Sequence, residues 1–406
     1  MPDPLTTITD LTGFRKELLE ELHTILEYWE QYATDHESGG FYGRIDNDNN
    51  VYRDAAKGVV LNARILWAFS AAVRFGNNDR YLQSATRAYQ YLVSYFIDQK
   101  YGGVYWSVDH RGFPLETRKQ IYAHAFVIYA LSEYFMATGD QAALELAIRI
   151  YDIVVLRSYD YVNGGYGEAL SADWNPIGDL RLSQKDANEK KSMNTHLHVL
   201  EGFTNLYRAW KDETLRRRIR ELIGLFRDHI VNPLDGHLDL FFDDQWRPKS
   251  TIISYGHDIE AAWLILEAAG VANDAPLLEW ATGHASRGAD GVLAGLDVDG
   301  GLWYEADRLT GHLVREKHSW PQAEAMVGFF NAWEVTGQPG YLRRSLSSWR
   351  FIRKFIVDPK HGEWFWGVTQ HYDIMQEDKV GPWKCPYHNT RACMELIKRI
   401  DLSKNE

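Results

Sequence analysis

Segments that are apolar on nearly every side alternate along this chain with segments whose apolar residues recur only every third or fourth position. Residues 62–75 are of the first kind and residues 81–96 of the second. A helix apolar all round must be buried and an amphipathic one can lie outside it, so the pair predicts an inner helix followed by an outer helix. Ahead of each pair stands a glycine with aromatic or aliphatic residues behind it: Gly40-Phe41-Tyr42, Gly103-Val104-Tyr105-Trp106, Gly165-Tyr166, Gly236-His237-Leu238, Gly301-Leu302-Trp303-Tyr304 and Gly362-Glu363-Trp364-Phe365. The glycines are spaced by 63, 62, 71, 65 and 61 residues, which makes a six-fold repeat. The unit exceeds the roughly 20–50 residues of common solenoid repeats because it must hold two full helices and a short hairpin.

Two segments are left without a partner. The apolar stretch at about residues 389–400 has no outer helix after it, and the stretch at about residues 11–32 has no inner helix before it. Together they complete one more unit, which closes the array and buries the end faces that an open solenoid would have to cap. The predicted fold is therefore all-α: an (α/α)6 barrel with short β-hairpins between repeats, formed by residues 1–406 as a single catalytic domain.

Composition narrows the function. Lys and Arg number 44 against 56 Asp and Glu, a net charge of −12, which excludes a continuous basic surface for nucleic acid. The segment Met1-Pro2-Asp3-Pro4-Leu5 lacks the basic-then-apolar pattern of a leader, and no window approaches the roughly 18 uninterrupted apolar residues of a membrane span, so a cytoplasmic protein without membrane partners is expected. Cys385 and Cys393 are too few for a disulfide framework and lack the spacing of a zinc site. The 15 tryptophans exceed the needs of a core of this size and suggest a sugar-binding cleft.

The starts of the inner helices carry polar residues that a buried helix should avoid: Asn62 and Arg64; Tyr122 and His124; Asn194, His196 and His198; His257 and Glu260; His318, Trp320 and Glu324; His388 and Arg391. Since inner helices of such a barrel run in one direction, these groups gather at one end and make a deep polar pocket. Arg216-Arg217-Arg218 on an outer helix reads as a solvated face. Three chemistries compete for the pocket. A catalytic metal is poorly served, because His196 and His198 are two residues apart and point about 200° from each other, and His257 with Glu260 is a pair without further support. An inverting glycosidase would use two of Glu260, Glu324 and Asp186, yet the pocket is richer in histidine than in carboxylate. Histidines near helix N-termini favour the neutral form and act as bases at pH 7, which suits proton abstraction beside a carbonyl.

Four stretches then become recognisable: Met193-Asn194-Thr195-His196-Leu197-His198-Val199-Leu200-Glu201, Ser254-Tyr255-Gly256-His257-Asp258-Ile259-Glu260-Ala261, Trp320-Pro321-Gln322-Ala323-Glu324-Ala325 and Trp383-Lys384-Cys385-Pro386-Tyr387-His388-Asn389. With Leu61-Asn62-Ala63-Arg64-Ile65-Leu66-Trp67 and Leu182-Ser183-Gln184-Lys185-Asp186, they resemble the cellobiose 2-epimerase branch of the N-acylglucosamine 2-epimerase superfamily from about residue 36 to 397. The resemblance implies an (α/α)6 barrel that interconverts glucose and mannose at the reducing end of β-1,4-linked disaccharides, taking cellobiose to glucosyl-mannose and lactose to epilactose. It implies no cofactor, no metal, and a small-molecule substrate as the partner of an expected monomer. It implies His257 and His388 as the acid/base pair, with His196, Glu260 and Arg64 acting beside them, and Tyr122, Asp186, Asn194, Tyr304, Glu305, Trp320 and Trp383 on the sugar. Physically, one histidine removes the C2 proton of the open-chain sugar and the other returns one to the opposite face. Arg64 suits the enediolate oxygens, Glu260 could orient an imidazole, and the tryptophans offer stacking faces. A monosaccharide isomerase, an N-acylglucosamine epimerase and a non-catalytic sugar-binding module are the alternatives. Two departures stand out. Ser319 replaces the first Trp of a Trp-Trp pair, which enlarges a subsite wall, and Cys385 replaces a Gly, where only packing is expected to change.

Overall fold

The computed structural model describes residues 8–76 and 79–403; the segment Met1-Pro2-Asp3-Pro4-Leu5 lies outside the described residues. Twelve α-helices among these residues form two rings. The inner ring is α2 (Val59–Gly76), α4 (Ile121–Thr138), α6 (Met193–Ala209), α8 (Tyr255–Ala272), α10 (Ser319–Thr336) and α12 (His388–Ser403). The outer ring is α1 (Ile8–Gln31), α3 (Leu82–Tyr91), α5 (Gln141–Ser158), α7 (Glu213–Leu225), α9 (Ala275–Gly291) and α11 (Pro339–Phe351). Each inner helix packs on the next, α12 returns to α2, and α1 packs on α12, so the two partnerless segments do meet and close the barrel. The apolar content of the inner ring accounts for its place: residues 59–73 of α2 and residues 121–134 of α4 are buried without a break. By length and composition α2 could cross a membrane, but here it is an inner stave.

At one end of the barrel the helices join through very short turns. Gly139, Asn273 and Gly337 close α4, α8 and α10 in the left-handed region, where glycine or asparagine is tolerated. Asp140, Asp212 and Asp274 then cap α5, α7 and α9, each accepting a backbone N–H at 2.9–3.2 Å. At the other end each outer helix leads through an antiparallel hairpin into the next inner helix, as in the pairing of Ile97 with Val104 and of Tyr159 with Tyr166. The site is built at this end.

The hairpins are fastened by a repeated tether near the start of the inner helices. Nε2 of His124 accepts the Val104 N–H at 3.0 Å while its Nδ1 donates to the Gln120 carbonyl at 2.7 Å. His196 does the same with Tyr166 and Ser192, at 2.8 and 2.7 Å. In the next two units Asp258 accepts the Leu238 N–H, and Gln322 both accepts from Leu302 and donates to the His318 carbonyl. The imidazoles come so close to the turn that a Cβ at Gly103 or Gly165 would lie 2.4 or 2.6 Å from a ring nitrogen, and both glycines have positive φ. At Gly103 and Gly165 the glycine is thus a packing requirement, whereas a Cβ at Gly236 would meet open space. A second tether joins hairpin to helix start through buried ion pairs: Lys57 with Asp35, Lys119 with Asp98, Lys191 with Asp160, Lys317 with Asp297 and Asp299, and Lys379 with Asp358, at 2.6–2.8 Å.

Arg216-Arg217-Arg218 is less solvated than its charge suggests. Arg216 donates to the Ala272 carbonyl at 2.8 Å, and Arg218 lies 3.9 Å over the Tyr159 ring. Both cysteines are buried and free.

Candidate active site

The hairpin end of the inner ring brings five of the polar positions, His198, Glu260, Glu324, His388 and Arg391, into one connected group with Glu201 and Tyr387, the buried arginine at its centre. Arg391, on the first turn of α12, donates through Nη2 to Glu260 and to Glu324 at 2.7 Å each, and through Nη1 to Glu201 and to the Tyr387 hydroxyl. Tyr387 also bonds Glu201. Each of two carboxylates in turn holds an imidazole: Glu201 accepts from Nδ1 of His198 at 2.9 Å, and Glu324 from Nδ1 of His388 at 2.7 Å. The second oxygen of Glu324 accepts the Trp263 indole N–H at 3.0 Å. With Nδ1 donating, Nε2 of His198 and of His388 is left bare.

His257 lies at the start of α8 with Nδ1 2.8 Å from the Ser254 hydroxyl. Its ring is 4.7 Å from the Trp320 ring, and that of His388 is 5.5 Å from the same indole. Gly256 makes this possible, since a Cβ there would meet the Trp320 ring at 2.5 Å. Burial pushes the pKa of His257 down to about 3, with His198 and His388 adding repulsion, so the imidazole is neutral at pH 7. Burial also pushes His388 down to about 3 against the pull of Glu324. Among the carboxylates, burial and the neighbouring Glu324 raise Glu260 towards its neutral acid, whereas Arg391 overcomes burial and holds Glu324 ionised.

Arg64 sits on the first turns of α2, 3 % exposed. It donates to the Tyr122 hydroxyl at 2.8 Å and reaches Cys385 Sγ at 3.9 Å, with its guanidinium 4.2 Å over the Phe126 ring. Cys385 therefore touches a site residue and is more than a packing change. Tyr122 lies edge-on to His198 at 5.0 Å and to Trp383 at 5.9 Å, and Trp383 in turn lies 5.9 Å from Trp106. Tyr304 stacks on His318 at 3.9 Å and meets Trp320 edge-on. Asp186 and Asn194 line a small recess with Glu168, and the Asn194 Oδ1 is buried without a partner. Glu305 is raised to about 7 by burial, with Lys185 opposing and Asp186 adding to it. A small cavity, of about 20 Å³, opens beside His388, walled by Trp320, Trp366, Trp383 and Ser319. Ser319 lies on this wall. The tryptophans divide between two duties: Trp29 and Trp263 are core, while Trp106, Trp320, Trp366 and Trp383 surround the mouth, and the buried Trp364 lines the same pocket.

Two expectations change. His196 does not stand with the group around Arg391, since it is fully buried with both ring nitrogens bonded to backbone; His198, two residues on, takes that place. The two residues point to opposite sides of one helix, and sequence spacing does not say which side faces the bore. Glu260 is not the orienting carboxylate of His388, for it lies 3.9 Å from Nδ1 whereas Glu324 lies at 2.7 Å. Glu201 and Tyr387 complete the group with Glu324 and Arg391; a charge within the otherwise apolar helix α6 was the signal for Glu201, and Tyr387, uncharged and just before α12, had none. Glu260, Glu324 and His388 bring ligating atoms within 4.8 Å of one another, a spacing open to a metal ion, but the Arg391 guanidinium already bridges both carboxylates.

The family model for N-acylglucosamine 2-epimerase (GlcNAc 2-epimerase) matches residues 39–392. The chain is 48 % identical over 385 residues to the cellobiose 2-epimerase of Bacteroides fragilis, covering 94 % of this chain and 98 % of the relative. It is 38 % identical to that of Dictyoglomus turgidum, covering 96 % and 100 %. The solved cellobiose 2-epimerase of Bacillus thermoamylovorans B4167 superposes with a TM-score of 0.91 at 39 % identity, covering 96 % of this chain and all of that one.

Proposed function

Because the chain belongs to the N-acylglucosamine 2-epimerase family, we propose that it epimerises the reducing-end glucose of β-1,4-linked disaccharides such as cellobiose and lactose at C2, without a cofactor. The observation that carries this reading is the pair of neutral imidazoles, His257 and His388, beside the single indole of Trp320. Opening of the pyranose exposes the aldehyde and acidifies the C2 proton, because the enediolate spreads charge onto O1. One imidazole takes that proton and becomes imidazolium; the other, once it has taken up a proton from solvent, delivers it to the opposite face of C2, and the first releases its proton to solvent. The reaction is reversible, so each serves as base in one direction and acid in the other. The ionised Glu324 favours the imidazolium form of His388, as the third member of a triad does. Arg64 supplies a fixed cationic fork for the enediolate oxygens, and Trp383 and Trp320 offer apolar faces on which the sugar rings stack.

Incubation with cellobiose, lactose, mannose and N-acetylglucosamine in D2O, with products identified by NMR, tests the reading. The disaccharides are expected to give C2 epimers carrying solvent deuterium at C2, with higher kcat/KM than the monosaccharides. Full retention of the original C2 hydrogen would exclude the two-base route. Turnover confined to N-acetylglucosamine or mannose would overturn the substrate assignment, and binding with no product from any of the four would leave a sugar-binding module.

A further inference from the structure

We propose that Arg391 is a positioning residue through which the histidine–carboxylate pairs His198–Glu201 and His388–Glu324 are held in register, a role that rests on the epimerase reading above. The two pairs come from α6 on one side and from α10 and α12 on the other. Glu201 and Glu324 share no hydrogen bond with each other, and Arg391 is the one side chain among the described residues that bonds both. Its guanidinium is 2 % exposed, and the three carboxylates around it are also buried. Three buried carboxylates cannot all stay ionised without a cation in contact. With Arg391 present, Glu201 and Glu324 remain acceptor-only, so both imidazoles keep their proton on Nδ1 and a bare Nε2. Without it the carboxylates take up protons, and a protonated Glu324 no longer fixes the tautomer of His388 or stabilises its imidazolium. Arg391 reaches no sugar atom in this scheme, so its loss should fall on kcat.

The barrel also offers a way to test this from behind. A second cavity, of about 480 Å³, opens at the far end of the barrel, with Trp67, Tyr129, Asn205 and Trp263 on its walls and Arg391 itself among its lining residues. Arg391 therefore forms part of the floor between the sugar pocket and the far mouth. A small cation can reach the space of a truncated Arg391 without passing through the sugar pocket.

The experiment measures kcat and KM on cellobiose for Arg391→Lys and Arg391→Ala, with folding checked by circular dichroism. Lysine keeps the charge but cannot bridge the two pairs with a planar fork. We expect kcat to fall at least 10-fold in Arg391→Lys, with KM within about threefold, as befits a lost positioning contact. In Arg391→Ala, millimolar guanidinium should restore kcat at least fivefold, and raising the cellobiose concentration should not suppress the rescue. A folded Arg391→Lys with wild-type kcat, or a rescue that competes with cellobiose, would overturn the proposal. Should both variants fail to fold, the pair Glu201→Gln and Glu324→Gln decides: the double variant should depart at least fivefold from the product of the single effects, and multiplicative losses would refute a coupling through Arg391. An epimerase reading that fails shows itself separately, in a wild-type protein that yields no epimer.

Discussion

Glu324→Gln separates shape from charge at the contact that supports His388. In the native protein one oxygen of Glu324 accepts both from His388 Nδ1 and from Arg391 Nη2 at 2.7 Å, and the other accepts from Trp263 at 3.0 Å. Glutamine fits the same space but has a single acceptor oxygen and no charge. The hydrogen bond to His388 thereby loses its charge assistance, a difference of about 1–2 kcal/mol between charged and neutral partners. The amide NH2 must face either Trp263 or the Arg391 and His388 donors, which leaves a buried donor unmatched at a further cost of about 1–3 kcal/mol. Only the share felt by the imidazolium form enters the barrier. A total of about 2–4 kcal/mol corresponds to roughly 30- to 900-fold in kcat. Since both oxygens of Glu324 face protein groups, KM should stay within about threefold. Initial rates of cellobiose epimerisation, followed by chromatography, give kcat, and deuterium wash-in at C2 of recovered substrate in D2O shows whether abstraction by the opposite base survives. A folded Glu324→Gln enzyme with kcat within fivefold of wild type would refute the claim that this carboxylate supports the proton transfer.

Four other outcomes follow from the same geometry. His196→Gln should keep near-native kcat, because Gln322 already serves as the equivalent tether with an amide, whereas His198→Gln should lower kcat at least tenfold; steady-state rates that reverse this order would return His196 to the site. Lys119→Met leaves Asp98 buried without its cation and should cost about 3–5 kcal/mol of stability in a denaturant titration while leaving KM unchanged, and a loss below 1 kcal/mol would refute the tether. His124, His196 and His284 are each pushed down to about 4 by burial, so they bind protons on unfolding: their contribution is intact above about pH 6.5 and lost as the pH falls towards 4, and Tm should drop over that range, less steeply in His124→Gln. Activity should survive dialysis against EDTA, since Arg391 bridges the carboxylates of the Glu260, Glu324 and His388 cluster; loss of turnover with recovery on adding a divalent ion would contradict this.

The barrel was legible because burial all round and burial on one face leave different marks in a sequence. Residues 59–73 of α2 carry almost no outward-facing polar position, and the outer helices do. The predicted boundaries at residues 62–75, 11–32 and 389–400 fall within a few positions of α2, α1 and α12. The choice between His196 and His198 was not legible in the same way, because spacing gives the angle between two side chains and not the direction of the bore. The missing signal lay in the repeat itself. His124, His196 and Gln322 each occupy the fourth position of an inner helix, and one role shared by three units is more naturally scaffold than chemistry. The buried Lys–Asp tethers were illegible for another reason: Lys57 and Asp35, or Lys191 and Asp160, are joined only when the intervening hairpin folds back, and a lysine 20 or more residues from an aspartate carries no local signal.

That division of labour along one helix turn explains how a six-fold scaffold comes to hold a site with no symmetry. In α12 the fourth residue is Arg391 itself, but in α4, α6, α8 and α10 the fourth residue faces the hairpin and satisfies a backbone N–H, a task that two histidines, an aspartate and a glutamine serve. Two residues further on, the side chain has turned by about 200° and faces the bore, where no backbone group imposes its needs. There the same position is His198 in α6, Glu260 in α8 and Glu324 in α10, three different groups that meet on Arg391 directly or through Glu201. Replacing a tether residue disturbs a hairpin, whereas replacing a bore residue leaves the hairpins in place. The repeat thus fixes where the functional groups stand without fixing what they are, and one arginine, supplied by a single unit, brings the differing groups into one charge balance.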